Sequence, residues 1–261
     1  MTYEPKFTAR AIEFQNRFSP YKYDDFDELS TTDPEFAERL RNFAFDEVMQ
    51  GSALDDRTRF LAITATLMGV EGLHDIFADM IHGALNMGVE AIALREVIYQ
   101  GVDYLGIART MPFLAEFNNV MKERKIELPL EPQATTTAET RLEAGNAVQV
   151  EAFGEGMRES WKTCPAERAA ITRWLAANCF GDYYTRGGLT LAEREMATFC
   201  YIVAQGGCEP QAVAHAMGNI NVGNSKEFMY DVVKQCLPYM GYPRTLNALA
   251  AIDKAAETLA K

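Results

Sequence analysis

No run of this sequence approaches the ~18 consecutive apolar residues of a membrane-spanning helix. Its opening, Met1-Thr2-Tyr3-Glu4-Pro5-Lys6, lacks the apolar stretch of a signal peptide. Both absences predict a cytoplasmic protein with no membrane partner. Basic residues are scarce too: 25 Lys and Arg stand against 37 Asp and Glu, a formal charge of −12. Binding a phosphate backbone needs a basic face, so nucleic acid is not expected as a partner. An anionic substrate has to be held by a few local arginines against an unfavourable overall field. Histidine occurs only as His74, His82 and His215. The cysteines (Cys164, Cys179, Cys200, Cys208 and Cys236) are odd in number, confined to the second half, and include no C-x-x-C. That is neither a disulfide framework nor a zinc spacing, and the reading calls for no metal and no cofactor. No segment shows strand alternation.

What is present is helical periodicity. Residues 1–32 are rich in aromatics and acids, among them Phe7, Phe14, Phe18, Tyr21, Tyr23 and Phe26. They read as an arm packing on the body or on a neighbouring subunit, with a short helix from Ala9 to Phe18. From Asp33-Pro34, a cap followed by proline at the first helical position, apolar residues recur at helical spacing to about residue 124. Leu128-Pro129-Leu130-Glu131-Pro132-Gln133-Ala134-Thr135-Thr136-Thr137 marks residues 125–149 as a linker. Helical spacing then returns over 150–261.

The chain repeats itself. A shift of 135 positions places Phe45 on Phe180, Leu54 on Leu189, Arg59 on Arg194 and Ala62 on Ala197. The same shift places Val97 on Val232, Gln100 on Gln235, Tyr104 on Tyr239, Gly106 on Gly241 and Arg109-Thr110 on Arg244-Thr245. One constant shift at both ends of a unit identifies a duplication, 33–124 and 150–261. His82 pairs with His215 if the preceding turn differs in length by two residues, since similar runs follow both.

Chemistry concentrates around Gly206-Gly207-Cys208-Glu209-Pro210-Gln211-Ala212-Val213-Ala214-His215. The glycine pair stops one helix and Pro210 suits the first turn of the next, which places Gln211 and His215 on one face. Cys208 lies beside that helix's free N–H groups, a setting that favours a thiolate or a bound anion.

These residues resemble the carboxymuconolactone decarboxylase family, whose fold is shared with the AhpD-type alkylhydroperoxidases. The resemblance covers both copies. It rests on Leu189-Thr190-Leu191-Ala192-Glu193-Arg194-Glu195, on Gly207-Cys208 followed by His215, and on Tyr239-Met240-Gly241-Tyr242-Pro243-Arg244-Thr245-Leu246-Asn247-Ala248. It implies an all-α fold, a tandem duplication of one helical unit, and association of chains, plausibly as a trimer imitating a six-unit ring.

The peroxidase branch carries Glu, C-x-x-C and His. Here Cys208 and His215 match, Glu195 is offset by one residue, and Gln211 replaces the second cysteine. The first copy has Phe60 at the glutamate's place and Asp75 at the first cysteine's. A dithiol cycle at this site therefore lacks its resolving thiol. The decarboxylase branch implies conversion of 4-carboxymuconolactone to an enol-lactone and CO2. The expected roles are His215 as proton donor, Glu195 orienting it, and Arg194 or Arg244 holding the carboxylate with Gln211 nearby. His82 is a candidate for the same role in the first copy, and Cys208 stands as spectator or nucleophile.

Other readings stay open for each residue. Arg59 and Arg194 suit a structural ion pair as well as a clamp, Arg244 suits a helix-end cap, and Glu195 is favoured by the helix dipole alone. Two further functions also remain: a thiol-dependent peroxidase or peroxiredoxin-like oxidoreductase using Cys208, and a non-catalytic binding or assembly scaffold.

Overall fold

The computed structural model describes residues 3–18, 24–71 and 74–260; Tyr21 and Tyr23 of the expected arm lie outside the described residues. Among the described residues every regular element is helical. Helices α1 (Ala9–Phe18) and α2 (Asp24–Thr32) lead into α3 (Pro34–Asn42), which continues through a π-helical turn, Phe43–Glu47, and a last turn, Val48–Gln50. α4 (Asp56–Gly69), α5 (His74–Asn86), α6 (Ala91–Leu105) and α7 (Ile107–Glu123) follow. The second half comprises α8 (Arg141–Phe153), α9 (Ala169–Trp174) running on as a π-helical stretch (Leu175–Tyr184), α10 (Leu191–Gln205), α11 (Glu209–Asn221) and α12 (Lys226–Leu259). No helix among the described residues is long and apolar enough to cross a membrane.

Local chemistry sets the helix ends. The Asp55 carboxylate accepts from the Thr58 N–H, the Ser225 hydroxyl from the Phe228 N–H, and Thr190 forms a reciprocal box with Glu193. Pro34 and Pro210 occupy first turns, where no N–H is needed. Gly106 (φ 80°) separates α6 from α7, and Gly241 (φ 77°) breaks α12 at the matching place. Only glycine holds a positive φ there without strain.

The shift of 135 runs without interruption through almost the whole chain. It carries α4 onto α10, α5 onto α11, α6 and α7 onto the two halves of α12, and α1 onto residues 144–153 of α8. Two sequence expectations change as a result. First, α1 is the expected helix from Ala9 to Phe18 packed on the body, but it belongs to the repeat. Phe18 covers Gly83 as Phe153 covers Gly218, and both pairs are related by the same shift. The repeated units are therefore 9–123 and 144–258, and α8 begins inside the expected linker. Second, α5 and α11 match with no change of length, so the counterpart of His215 is Met80 and not His82.

α4 and α10 cross at the centre of the molecule and are buried on nearly all sides beyond their first turns. A Cβ on Gly69 would lie 2.6 Å from that of Ala204, its own counterpart, so the approximate two-fold axis passes beside this pair. Around the axis the units exchange hydrogen bonds. Arg59 Nε donates to Gln235 Oε1 (2.8 Å) and Arg194 Nη1 donates to Gln100 Oε1 (3.0 Å). The segment between the units is strapped down: Arg95 donates to the Leu130 and Glu131 carbonyls, and the Gly187 N–H to that of Gln133. Ile107 with Met111, and their counterparts Tyr242 with Leu246, leave apolar side chains in solvent.

Candidate functional site

α10 and α11 bring Glu195 and His215 together. His215 Nδ1 lies 2.9 Å from Glu195 Oε2, and the two side chains are 12% and 0% exposed. A carboxylate at Nδ1 fixes the imidazole's orientation and leaves Nε2 as the working nitrogen. No hydrogen bond ties Nε2 to a protein group among the described residues. The ring is held edge-on between Tyr104 (5.5 Å between centroids) and Phe153 (5.2 Å). Asn219 donates to the main-chain carbonyls of both Glu195 and His215, locking α11 to α10. Gly218 is required here because a Cβ would stand 2.6 Å from Glu195 Oε2 and 2.8 Å from the Phe153 ring.

Two polar groups of this cluster come from the other unit. Tyr104, at the end of α6, places its hydroxyl 3.0 Å from that of Tyr184 and 3.5 Å from Cys179 Sγ. The Tyr184 hydroxyl is also 2.6 Å from Thr198 Oγ1. Burial pushes the Tyr104, Tyr184 and Cys179 groups well above their ordinary values, so all three hold their protons at neutral pH. Asp103, beside Tyr104, is raised to about 7 by burial. The repeat paired Tyr104 with Tyr239, and the sequence assigned no role to Tyr104, Asp103 or Tyr184. The missed signal was a contrast: Asp103, Cys179 and Tyr184 are polar where the same shift gives Pro238, Ala44 and Met49.

The other expected site residues lie elsewhere. Cys208 is the N-cap of α11, seven residues before His215, or roughly 10 Å along the axis. It lines a small open cleft with Gly206, Gly207, Arg244 and Asn247, and neither Glu195 nor His215 lines that cleft. Arg244 makes no ion pair or hydrogen bond among the described residues, whereas its counterpart Arg109 is paired with Glu71 at 2.6 Å. Gln211 is exposed on the first turns of α11.

Arg194 is fully buried. It bonds Gln100, Glu96 (3.3 Å) and the carbonyls of Arg186 and Gly187, so it cross-links the units and does not face a substrate. His82 is removed from any such site and stands 3.1 Å from Glu123 Oε2. The place equivalent to Glu195 and His215 holds Phe60 and Met80, both buried, with the Tyr239 hydroxyl directed at the Met80 sulfur. The side chain of Asp75 lies outside the described residues. Among the described residues no three His, Cys, Asp or Glu side chains converge to hold a metal ion.

Residues 34–118 and 169–254 each match the carboxymuconolactone decarboxylase family, and the chain belongs to it. It is similar over 99% of its length, at 15% identity and a TM-score of 0.56, to the whole of a crystal structure from Burkholderia xenovorans LB400, provisionally assigned as a gamma-carboxymuconolactone decarboxylase subunit. At that identity the likeness concerns the fold. No curated protein matches the sequence.

Proposed function

We propose that the chain is a cofactor-independent carboxy-lyase acting on a small carboxylated lactone or related ring compound, with His215 as proton donor. The observation that carries this reading is the buried Glu195–His215 contact, which leaves Nε2 without a protein partner between the Tyr104 and Phe153 rings. Breaking the C–C bond to the carboxylate releases CO2 and leaves its electron pair in an extended enolate through the lactone. That carbanionic centre then takes a proton from Nε2, and solvent returns one to the imidazole. Glu195 orients the ring and stabilises its charged form. Arg244 makes no ion pair among the described residues and lines the separate cleft at the Cys208 end of α11, so it suits an anionic group bound there rather than one beside His215. A cytoplasmic homo-oligomer belongs to this reading; the exposed Ile107, Met111, Tyr242 and Leu246 supply apolar surface for association as a trimer.

A thiol-dependent reading rests on one observation, Cys208 at the N-cap of α11 in the cleft that Arg244 lines. No second cysteine lines that cleft, so an external thiol has to serve as the reductant.

The test is turnover of 4-carboxymuconolactone, followed by ultraviolet loss of the lactone and by CO2 release, in wild type, His215→Ala and Cys208→Ser. The lyase reading expects activity lost with the histidine and kept with the serine. Absence of turnover by wild type would remove that substrate. Thiol-dependent peroxide reduction would then revive the oxidoreductase, and silence in both assays the scaffold.

A further inference from the structure

Half of the polar cluster is not used by the Glu195–His215 pair. Asp103 lies against the Cys179 thiol, and Asp103 Oδ2 is buried without a hydrogen-bond partner. Glu195 Oε1, in a residue with no exposed surface, is likewise unpartnered. The Glu195 charge acts on Tyr104, Tyr184 and Cys179, so these groups share one electrostatic environment. Buried oxygens left without partners are costly and are found where water or a ligand is to be met.

The duplication separates architecture from chemistry. Tyr104, Phe153 and Phe180 have counterparts of the same type in Tyr239, Phe18 and Phe45. Asp103, Cys179, Tyr184, Thr198, Glu195 and His215 instead meet Pro238, Ala44, Met49, Ile63, Phe60 and Met80. The aromatic frame is common to both units, while the polar set is present as a block in one place and absent as a block in the other. Pro238 within α12 shows that the helix does not need an aspartate at this position.

We propose that Asp103, carried by the first unit, is a second proton-holding residue of the second unit's site, acting through Cys179 and Tyr104 across from the Glu195–His215 pair. As a step in catalysis this rests on the lyase reading. The groups facing Asp103 are Cys179, Asp182 and Tyr183 from the π-helical stretch and Tyr201 from α10. α4 and α7 add none that acts on its carboxyl among the described residues. Burial and Asp182 raise its proton affinity, and the Cys179 contact lowers it.

The experiment is carboxyl-region infrared and 13C NMR spectroscopy of the intact protein labelled at aspartate Cγ, from pH 5 to 9. The comparison is wild type, Asp103→Asn and Cys179→Ala; the last reproduces the first unit's own alanine. Wild type is expected to show a protonated carboxyl that titrates near neutrality and is missing in Asp103→Asn. Its midpoint should rise in Cys179→Ala. Turnover by Asp103→Asn should fall about 10²-fold and lose that pH limb, with partial rescue by Asp103→Glu. A wild-type protein with no such carboxyl signal, or a midpoint that does not move in Cys179→Ala, overturns the proposal. The spectroscopy needs no substrate. If wild type fails to decarboxylate yet shows these signals, the lyase reading falls and the proton-holding pair stands; turnover without the signal removes Asp103 alone.

Discussion

Where the second unit buries Glu195 against His215, the first buries Phe60 beside Met80. The backbones around these two places follow the same plan, with a tyrosine at the end of a helix, a phenylalanine ring over a glycine, and the same π-helical irregularity. The first unit shows what the plan requires in order to fold, and the second shows what has been added. A buried carboxylate with an unpartnered oxygen is a liability for folding, so its retention in one unit and replacement by phenylalanine in the other point to use. Conversely, Arg59 and Arg194 are kept in both units because each holds the opposite unit's glutamine.

Substitution at paired positions can break this contrast. The largest expected effect is on turnover: His215→Ala should lower it by roughly 10²–10⁴-fold. Met80→Ala should leave turnover intact and instead cost about 2–5 kcal/mol of stability by denaturant unfolding. Equal losses of activity in the two variants would refute a single active place. Next in size, Arg194→Met leaves Glu96 short of a buried partner and should destabilise by about 3–5 kcal/mol. Arg59→Met should cost less, because its partner Asp56 is partly open to water. A reversed order in urea melts would show that the two cross-links are not ranked by burial.

Grafting the first unit's pair into the second sharpens the contrast. Glu195→Phe with His215→Met is expected to abolish turnover while leaving stability unchanged or raised by up to about 4 kcal/mol. A strongly destabilised double variant would mean that the polar pair is structural after all.

The smallest effect concerns His82, whose proton affinity burial lowers from the ordinary 6.5, against the pull of Glu123. The unfolded chain then binds this proton more readily than the folded one. Its contribution to stability is complete above pH 6.5 and is lost as pH falls through the lowered folded value. His82→Gln should flatten the decline between pH 7 and 5, and an unchanged pH–stability curve would count against it.

Much of this was legible in the sequence. The shift of 135 follows from residue types and spacing, and the family resemblance implied the Glu195–His215 pairing. His82 misled because a histidine before Gly83-Ala84-Leu85-Asn86 looks like the one at 215; Gly83 with Gly218 and Asn86 with Asn221 keep the true register. Arg194 could be read either as clamp or as strut, because only the crossing of α4 and α10 decides which face water reaches. Asp103, Tyr104 and Cys179 are brought together across 75 or more positions, a proximity that no local pattern encodes.

The reciprocal arginine–glutamine exchange has a consequence for the strap at 124–140. Each unit carries one half of both cross-links, so neither satisfies its own buried guanidinium. Cleavage of the chain within that strap should yield two fragments that are unstable apart and reassociate when mixed, with the strap serving chiefly to keep complementary halves at high local concentration.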